Sequence, residues 1–280
     1  MTIRIVTDST CDLPAEIVAK YKLKVVPAYV NIGLNSLRDE IDLSRTQFYD
    51  DLMGYEQHPT TAAPSAGEFA AVYEELTNDG TSQIISIHVS EKLSGIINSA
   101  RAATDLGDYA PVTHIDSQQL SMGIGFQVIA AAKAAAAGKS VSEIVAILDE
   151  LRPRVRTFAM LDTLDAVRRS GRVSWVQMQM GNLLRLKQIV DVWEGEVRAV
   201  ARVRTRKKAL VTFAQLVGSL GEISQIAYMN TNNTAATMAE FKQLFIGIDD
   251  QAQIFNTIAC PAIGVHVGPK AIGVACVIKD

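Results

Sequence analysis

Three short segments carry polar side chains that could hold a negatively charged group. Thr60 and Thr61 come just before a predicted helix, Ser94 lies between a predicted strand and a predicted helix, and His266 lies in a Gly-Pro segment between strands. Hydroxyls at a helix N-terminus can receive an anion together with the free backbone N–H groups there. Each segment also has a structural interpretation, in which Thr61, Ser65 or Ser94 only caps a helix and His266 only packs.

Positive charge is concentrated in the middle of the chain. Residues 150–210 carry 14 Lys and Arg against 6 Asp and Glu, whereas residues 1–149 carry 10 against 19. On a continuous strand, Arg202, Arg204 and Arg206 would share one face. The stretch predicts a surface for an anion or an acidic partner; the alternatives are a solvated face and, for Arg168 and Arg169, cations that stabilise a helix C-terminus. Nucleic acid is disfavoured as a partner by the pI of about 5.9 and the few aromatic residues in this stretch.

Composition narrows the class of protein further. The chain is 48% hydrophobic and 20% charged, as expected for a protein with a large buried core. No apolar run reaches the roughly 20 residues that a membrane span needs, and the N-terminus does not read as a secretory signal. The three cysteines have no metal-ligand spacing, so we expect a reduced, cytoplasmic protein with no metal and no cofactor.

The elements that must position these residues alternate between strand and helix in the first half. Strands are predicted at 3–7, 24–30, 83–89 and 112–116, and helices from about 14 and near 44–53, 66–77, 94–105 and 119–137. This alternation predicts an α/β fold with a parallel sheet and helices on both faces, in which ligands bind beyond the C-terminal ends of the strands.

The pattern changes after residue 152. A helix at 140–150 is the last element predicted before this point. Beyond it, helices are predicted at 161–169, 206–220 and 231–246, with a hairpin turn around Gly195. Strands are predicted at 157–160, 189–193, 197–203, 225–229, 253–259 and 273–278. We therefore predict an N-terminal α/β domain at 1–152 and a C-terminal α/β domain with a mixed or antiparallel sheet at 153–280.

The motifs together resemble one family along nearly the whole chain. The opening Ile5–Pro14 segment is similar to the first motif of the DegV family, the fatty-acid-binding proteins that serve bacterial fatty acid kinase. The resemblance continues in chain order through Pro59-Thr60-Thr61, Leu93-Ser94-Gly95, Asp116-Ser117 with Ser121, Gly123 and Gly125, Leu161–Ser174, Gly181–Lys187, Val203–Leu210 and the His266 segment.

The resemblance implies a fatty acid buried between two domains. It implies that hydroxyls of Thr61 and Ser94 bind the carboxylate, that His266 lies close to the head group, and that Arg172 and Arg204 lie near the opening as ligand or partner contacts. It also implies a partner kinase that phosphorylates the bound carboxylate with ATP, while the carrier itself binds no nucleotide. The chain departs from the family pattern where Ala62, Ile96 and Lys270 stand in place of a hydroxyl residue, a threonine and a glycine.

Two other functions remain as alternatives. Ser94 as nucleophile and His266 as base would make the chain an enzyme with its own acyl or phosphoryl chemistry, although neither a G-x-S-x-G elbow nor a Walker-type loop is present. A carrier of another hydrophobic carboxylate would need the same kinds of residues.

Overall fold

A computed structural model describes residues 2–171 and 186–279 of the chain. Its strands are β1 (Ile3–Asp8), β2 (Lys24–Val26), β3 (Tyr29–Ile32), β4 (Asn35–Arg38), β5 (Thr60–Ala62), β6 (Gln83–His88), β7 (Val112–Asp116), β8 (Val155–Leu161), β9 (Lys187–Trp193), β10 (Glu196–Val203), β11 (Ile223–Asn230), β12 (Gln253–Ile258) and β13 (Ile272–Ile278). Its helices are α1 (Ala15–Lys20), α2 (Arg45–Asp51), α3 (Ala66–Asn78), α4 (Ile96–Ala103), α5 (Met122–Ala136), α6 (Val141–Leu151), α7 (Asp165–Arg169), α8 (Arg206–Gly218), α9 (Ala235–Gln243) and α10 (Pro261–Val267), with 3₁₀ turns at Ser9–Cys11 and Arg152–Arg154.

The first sheet is parallel, as the strand–helix alternation predicts. Its order is β2-β1-β6-β7, and β1 pairs with both β2 and β6. The last four residues of β1 and the last five of β6 are buried, which requires cover on both faces of the sheet. Helices α3 and α4 pack together against this sheet, and α5 packs against β1 and β6.

The second sheet is mixed and has the order β10-β9-β8-β13-β11-β12. Only β11 and β12 pair in parallel; the other neighbours are antiparallel. The predicted hairpin turn is confirmed: Glu194 and Gly195 both have positive φ, at 52° and 80°, and they join β9 to β10. Positive φ at both central residues suits the twist of a tight hairpin, and Gly195 adopts it without steric cost.

A buried helix joins the two sheets. The alanine-rich α5 packs against β1 and β6 of the parallel sheet and against β8 and β13 of the mixed sheet. Glycine allows this fit, because a Cβ on Gly123 would lie 2.4 Å from Thr157 Oγ1. The largest hydrophobic cluster therefore contains residues from both sheets, and the predicted division at residue 152 remains a prediction.

Two features differ from the sequence-based prediction. The predicted strand at 24–30 is interrupted at Pro27, so β2 ends at Val26 and the chain begins a third, antiparallel sheet with order β4-β3-β5. Proline cannot donate to a strand ladder, which explains the break. The second difference is α10, because the segment that contains His266 is a short helix and not a loop. No helix among the described residues is long and apolar enough to cross a membrane.

Candidate ligand-binding site

Thr61, Ser94 and His266 line one cavity, although they are far apart in sequence. This head-group cavity has a volume of about 140 Å³ and is also lined by Thr10, from the turn after β1. Among the described residues that line it there is no lysine or arginine. The described side chains that can hydrogen-bond to an anion here are the hydroxyls of Thr10, Thr61 and Ser94 and the imidazole of His266.

Thr61 lies on strand β5, and a different residue caps helix α3. Thr61 pairs with Val30 of β3, and its Oγ1 lies 3.0 Å from His266 Nε2. Ser65 caps α3 in a capping box, in which Ser65 Oγ accepts from Glu68 N and Glu68 accepts from Ser65 N. The structural interpretation of Thr61 as a helix cap is therefore wrong, because Ser65 performs that role.

Ser94 lies at the loop between β6 and α4. The residue is half-buried, and its Oγ accepts a long hydrogen bond of 3.4 Å from Ile96 N, while Gly95 occupies the N-cap position of α4. Ser94 thus combines a weak capping contact with a place in the cavity wall. In the first turn of α4, Asn98 N and Ser99 N both donate to the carbonyl of Gly95, and the positive end of the helix dipole at this point favours a negatively charged group.

Helix α10 carries His266 and is fixed at both ends. Pro261 occupies the first helical position, where its missing N–H costs nothing, and Asp12 Oδ1 accepts from Cys260 N at 2.8 Å. Near its other end, His58 Nε2 lies 2.9 Å from the carbonyl oxygen of Val265. His266 itself is 9% exposed, so α10 turns a buried imidazole toward Thr61.

Asp12 and Asp39 are two buried carboxyl groups beside this helix. Burial raises the pKa of Asp12 to about 6, although the guanidinium of Arg45 and the hydroxyl of Ser121 oppose the effect. Burial also raises the pKa of Asp39 to about 7, against a hydrogen bond from Ser9. Local sequence motifs do not reveal these two buried carboxyl groups, because their burial and their hydrogen bonds depend on partners that are distant in sequence.

A second, smaller cavity extends the first into the mixed sheet. It measures about 50 Å³ and shares Leu120, His266 and Val267 with the head-group cavity. Apart from His266 and Thr157, the side chains that line it are apolar. The two cavities together have a polar end and an apolar end, which is the arrangement that an amphiphilic anion requires.

The arginines are not grouped as the strand pattern predicts. Strand β10 ends at Val203, and Arg206 begins α8, so the predicted common face of Arg202, Arg204 and Arg206 is wrong. Arg206 binds Asp162 Oδ1 at 2.8 Å, Asn233 Oδ1 at 2.7 Å and the carbonyl of Lys270. Arg204 is exposed and is not among the residues that line either cavity, and Arg172 lies outside the described residues.

A buried hydrogen-bonded chain lies beneath the head-group cavity. His88 Nδ1 lies 2.9 Å from Asp8 Oδ2, and His88 Nε2 lies 2.7 Å from Ser86 Oγ. This order of carboxylate, imidazole and hydroxyl resembles a hydrolase triad. All three side chains have no exposed surface, and Ser86 Oγ also contacts the hydroxyl of Tyr73. This series of hydrogen bonds therefore connects strands and does not reach a substrate.

The fold and the site define an α/β protein with an internal pocket that is polar at one end and apolar at the other. The chain belongs to the DegV family: the family model described as "Uncharacterised protein, DegV family" matches residues 2–279. It is 34% identical over 283 residues to a DegV domain-containing protein of Deinococcus radiodurans, which covers 98% of each chain.

Solved structures of the family have the same fold. DegV from Bacillus subtilis, described as a fatty acid binding protein, superposes with a TM-score of 0.89 at 30% identity over 100% of both chains. A DegV family protein from Thermus thermophilus, described by its fatty acid binding, gives a TM-score of 0.88 at 29% identity over 100% of both chains. The family and the fold class predicted from the motifs are thereby confirmed.

Proposed function

We propose that this protein binds one long-chain fatty acid and presents its carboxylate to a separate fatty acid kinase. The observation that carries the proposal is the single cavity that Thr61, Ser94 and His266 share, with its apolar extension past Leu120 and Val267. Fatty acid binding by two similar DegV proteins supports the choice of ligand. The kinase partner follows from the family resemblance of the motifs.

The energetics of the site agree with a carrier. Burial of the acyl chain contributes about 0.8 kcal/mol per CH₂, so the tail dominates affinity. The carboxylate must be hydrogen-bonded, because an unpaired buried charge is costly. Hydroxyls of Thr61 and Ser94 supply these bonds and leave the carboxylate accessible to an incoming phosphoryl group.

The enzyme alternative receives less support from the geometry. A serine nucleophile needs a base within hydrogen-bonding distance. His266 Nε2 is engaged with Thr61 at 3.0 Å, and the hydrogen bond described for Ser94 Oγ comes from Ile96 N. An acyl adduct on Ser94 in an intact-mass spectrum after incubation with an acyl ester or acyl phosphate would support the enzyme over the carrier.

The first experiment is a lipid extraction and native mass spectrum of the purified protein. We expect about one fatty acid per chain. No co-purifying lipid, together with no binding of any long-chain acid on titration, would contradict the proposal.

The second experiment tests the head-group residues. We expect Thr61→Ala with Ser94→Ala to reduce acyl phosphate formation by the supplied kinase, since each hydroxyl bond to a charged group is worth about 1.5–3 kcal/mol. Retention of the fatty acid should be partly preserved, because the tail remains buried. Thr60→Ala is the matched control, as Thr60 is an exposed neighbour on β5 and is not among the residues that line the cavity. Full turnover by the double variant would show that the head-group assignment is wrong.

The third experiment tests the partner surface, for which Arg204 and Arg206 form a matched pair. Arg204 is exposed, and within residues 2–171 and 186–279 no ion pair is described for it, whereas Arg206 pairs with Asp162. Charge reversal by Arg204→Glu should lower kinase-coupled turnover and leave the Tm unchanged, and we expect the same of Arg172→Glu. Reversal at Arg206 should lower the Tm. Full turnover with both Arg204→Glu and Arg172→Glu would reject the partner surface.

We further propose that the head-group cavity lies between two units, residues 1–152 and 153–280, and that the protein is cytoplasmic. Both units contribute to the cavity wall, through Thr61 and Ser94 on one side and His266 on the other. Cys11, Cys260 and Cys276 are free and buried, which fits a reducing compartment. Limited proteolysis near residue 152 and cell fractionation would test the two statements.

A further inference from the structure

We propose a second binding site, for a small aliphatic amine, in the cavity that has Asp39 in its wall. This Asp39 cavity measures about 430 Å³, which is within the range of small-molecule sites and larger than the head-group cavity. Leu13, Val18 and Val25 form part of an apolar wall, and Ala15 and Ala19 of α1 stand exposed at its edge. It has no lining residue in common with the head-group cavity.

The carboxyl group of Asp39 supplies an unfilled hydrogen-bonding position. The residue is 1% exposed, and its Oδ2 accepts from Ser9 Oγ at 2.7 Å. Its Oδ1 is buried and has no hydrogen-bond partner among the described residues. The thiol of Cys260 is close enough to donate to the Asp39 carboxyl group, but a thiol is a weak donor and leaves the group short of a strong N–H or O–H partner. A buried acceptor without a partner costs free energy, which a ligand N–H would recover.

The charges around the cavity favour a cation. The charged residues that line the cavity are Asp39, Glu40 and Arg45. Asp12 does not line it but forms an ion pair with Arg45. The guanidinium of Arg45 is already engaged, at 2.7 Å from Glu40, 3.6 Å from Asp12 and 2.9 Å from Thr257 Oγ1. The carboxyl groups of Asp12 and Glu40 thus already share this guanidinium, and no ion pair between Asp39 and Arg45 is described. A primary ammonium carries three N–H donors and one positive charge, so it matches both the buried acceptor Oδ1 of Asp39 and the excess of negative charge.

The apolar wall requires a hydrocarbon body on the same ligand. Apart from the polar groups around Asp39, most of the cavity surface comes from aliphatic side chains of the Leu13 turn, α1 and β2. Each CH₂ that this wall covers contributes about 0.8 kcal/mol. The ligand class is therefore an amine with a short alkyl chain rather than an inorganic cation.

The turn Ser9–Cys11 separates this cavity from the head-group cavity. Ser9 and Cys11 line the Asp39 cavity, while Thr10 between them lines the head-group cavity. Ser9 Oγ also accepts from the backbone N–H of Ala28, another residue of the head-group cavity. The two sites are thus neighbours that share a wall and remain chemically distinct, one for an anion and one for a cation.

The test uses n-hexylamine as the probe, titrated calorimetrically into the full-length protein at pH 8, with hexan-1-ol as the uncharged probe of equal length. We expect hexylamine to bind and hexan-1-ol to bind at least about tenfold more weakly, a difference of 1.4 kcal/mol. Asp39→Asn should weaken hexylamine binding by a similar factor. Asp79→Asn is the matched control, because Asp79 is exposed and is not among the residues that line the cavity, so that variant should bind as the wild type does.

Two further variants keep the test decisive. Ala19→Phe should block hexylamine by filling the mouth of the cavity from an exposed helix position, even if Asp39→Asn perturbs folding. The Thr61→Ala, Ser94→Ala protein should bind hexylamine normally, which separates this site from the proposed fatty acid site. Equal hexylamine binding by wild type, Asp39→Asn and Ala19→Phe would overturn the proposal, as would equal binding of hexan-1-ol or loss of binding in the Thr61, Ser94 double variant.

Discussion

Substitution of Gly264 by alanine tests whether the packing of α10 controls the head-group cavity. A Cβ at this position would lie 2.6 Å from Phe48 Cε1 and 2.6 Å from the hydroxyl oxygen of Tyr49, whereas carbon atoms pack best at about 3.5–4.0 Å. Both neighbours belong to α2 and are buried, so they have little room to move. Alanine must therefore push α10 away from α2.

The expected change in the free energy of unfolding combines two costs and one gain. Overpacking of a well-filled core costs about 1–3 kcal/mol. Displacement of Tyr49 also strains its 2.9 Å hydrogen bond to the carbonyl of Ala259, worth about 0.5–1.5 kcal/mol. Alanine recovers about 0.5–1 kcal/mol through its lower backbone entropy in a helix. We expect Gly264→Ala to lower the free energy of unfolding by about 1–3 kcal/mol.

The expected effect on ligand binding follows from the position of His266, two residues after Gly264 on α10. Movement of α10 lengthens the 3.0 Å contact between His266 and Thr61, so fatty acid affinity should fall together with stability. Urea denaturation followed by circular dichroism gives the first quantity, and titration with a long-chain acid gives the second. Gly67→Ala is the control, because its Cβ meets only Ser65 Oγ at 3.8 Å; it should leave stability equal or slightly higher. A Gly264→Ala protein as stable as wild type with unchanged affinity would refute the packing argument.

Three further predictions concern stability. Burial raises the Asp39 pKa from 3.8 to about 7, so ionisation of Asp39 destabilises the fold as pH rises. Relative to wild type, Asp39→Asn should leave the free energy of unfolding unchanged near pH 4 and raise it by up to about 4 kcal/mol at pH 8. A difference in urea denaturation that does not depend on pH would contradict this. Asp8→Ala should cost about 3–5 kcal/mol by leaving His88 and two backbone N–H groups unpaired, and a loss under about 1 kcal/mol would be inconsistent with that network. Ser65→Ala and Ser140→Ala each remove a capping box, so both should lower stability by about 1 kcal/mol, and unequal Tm changes would show that Ser65 has a further role.

Local patterns predicted the elements whose conformation depends mainly on neighbours in sequence. The strand–helix alternation, the hairpin at Gly195 and the buried alanine-rich α5 are all present. Periodicity and turn chemistry operate over a few residues, so these features could be predicted without knowledge of the partners. The motif resemblance identified Thr61, Ser94 and His266, and the structure brings all three to one cavity.

Other choices depend on contacts between distant residues. Thr61 and Ser65 were both candidates for the cap of α3; Ser65 has that role through its local capping box with Glu68, whereas the pairing of β5 with β3 places Thr61 in a strand. Arg204 and Arg206 looked alike in the sequence, but only Arg206 is placed beside Asp162.

The amino-acid sequence alone therefore determined the order of the elements and the identity of the polar residues, because both are properties of short segments. Tertiary structure decided that the His266 segment is helical. Asp12 accepts from the backbone N–H of Cys260 across 248 residues, and Gly264 packs closely against Phe48 and Tyr49. Burial between those partners, rather than the propensity of a Gly-rich segment, favours a seven-residue helix there, because so short a helix gains too few hydrogen bonds to be stable on its own.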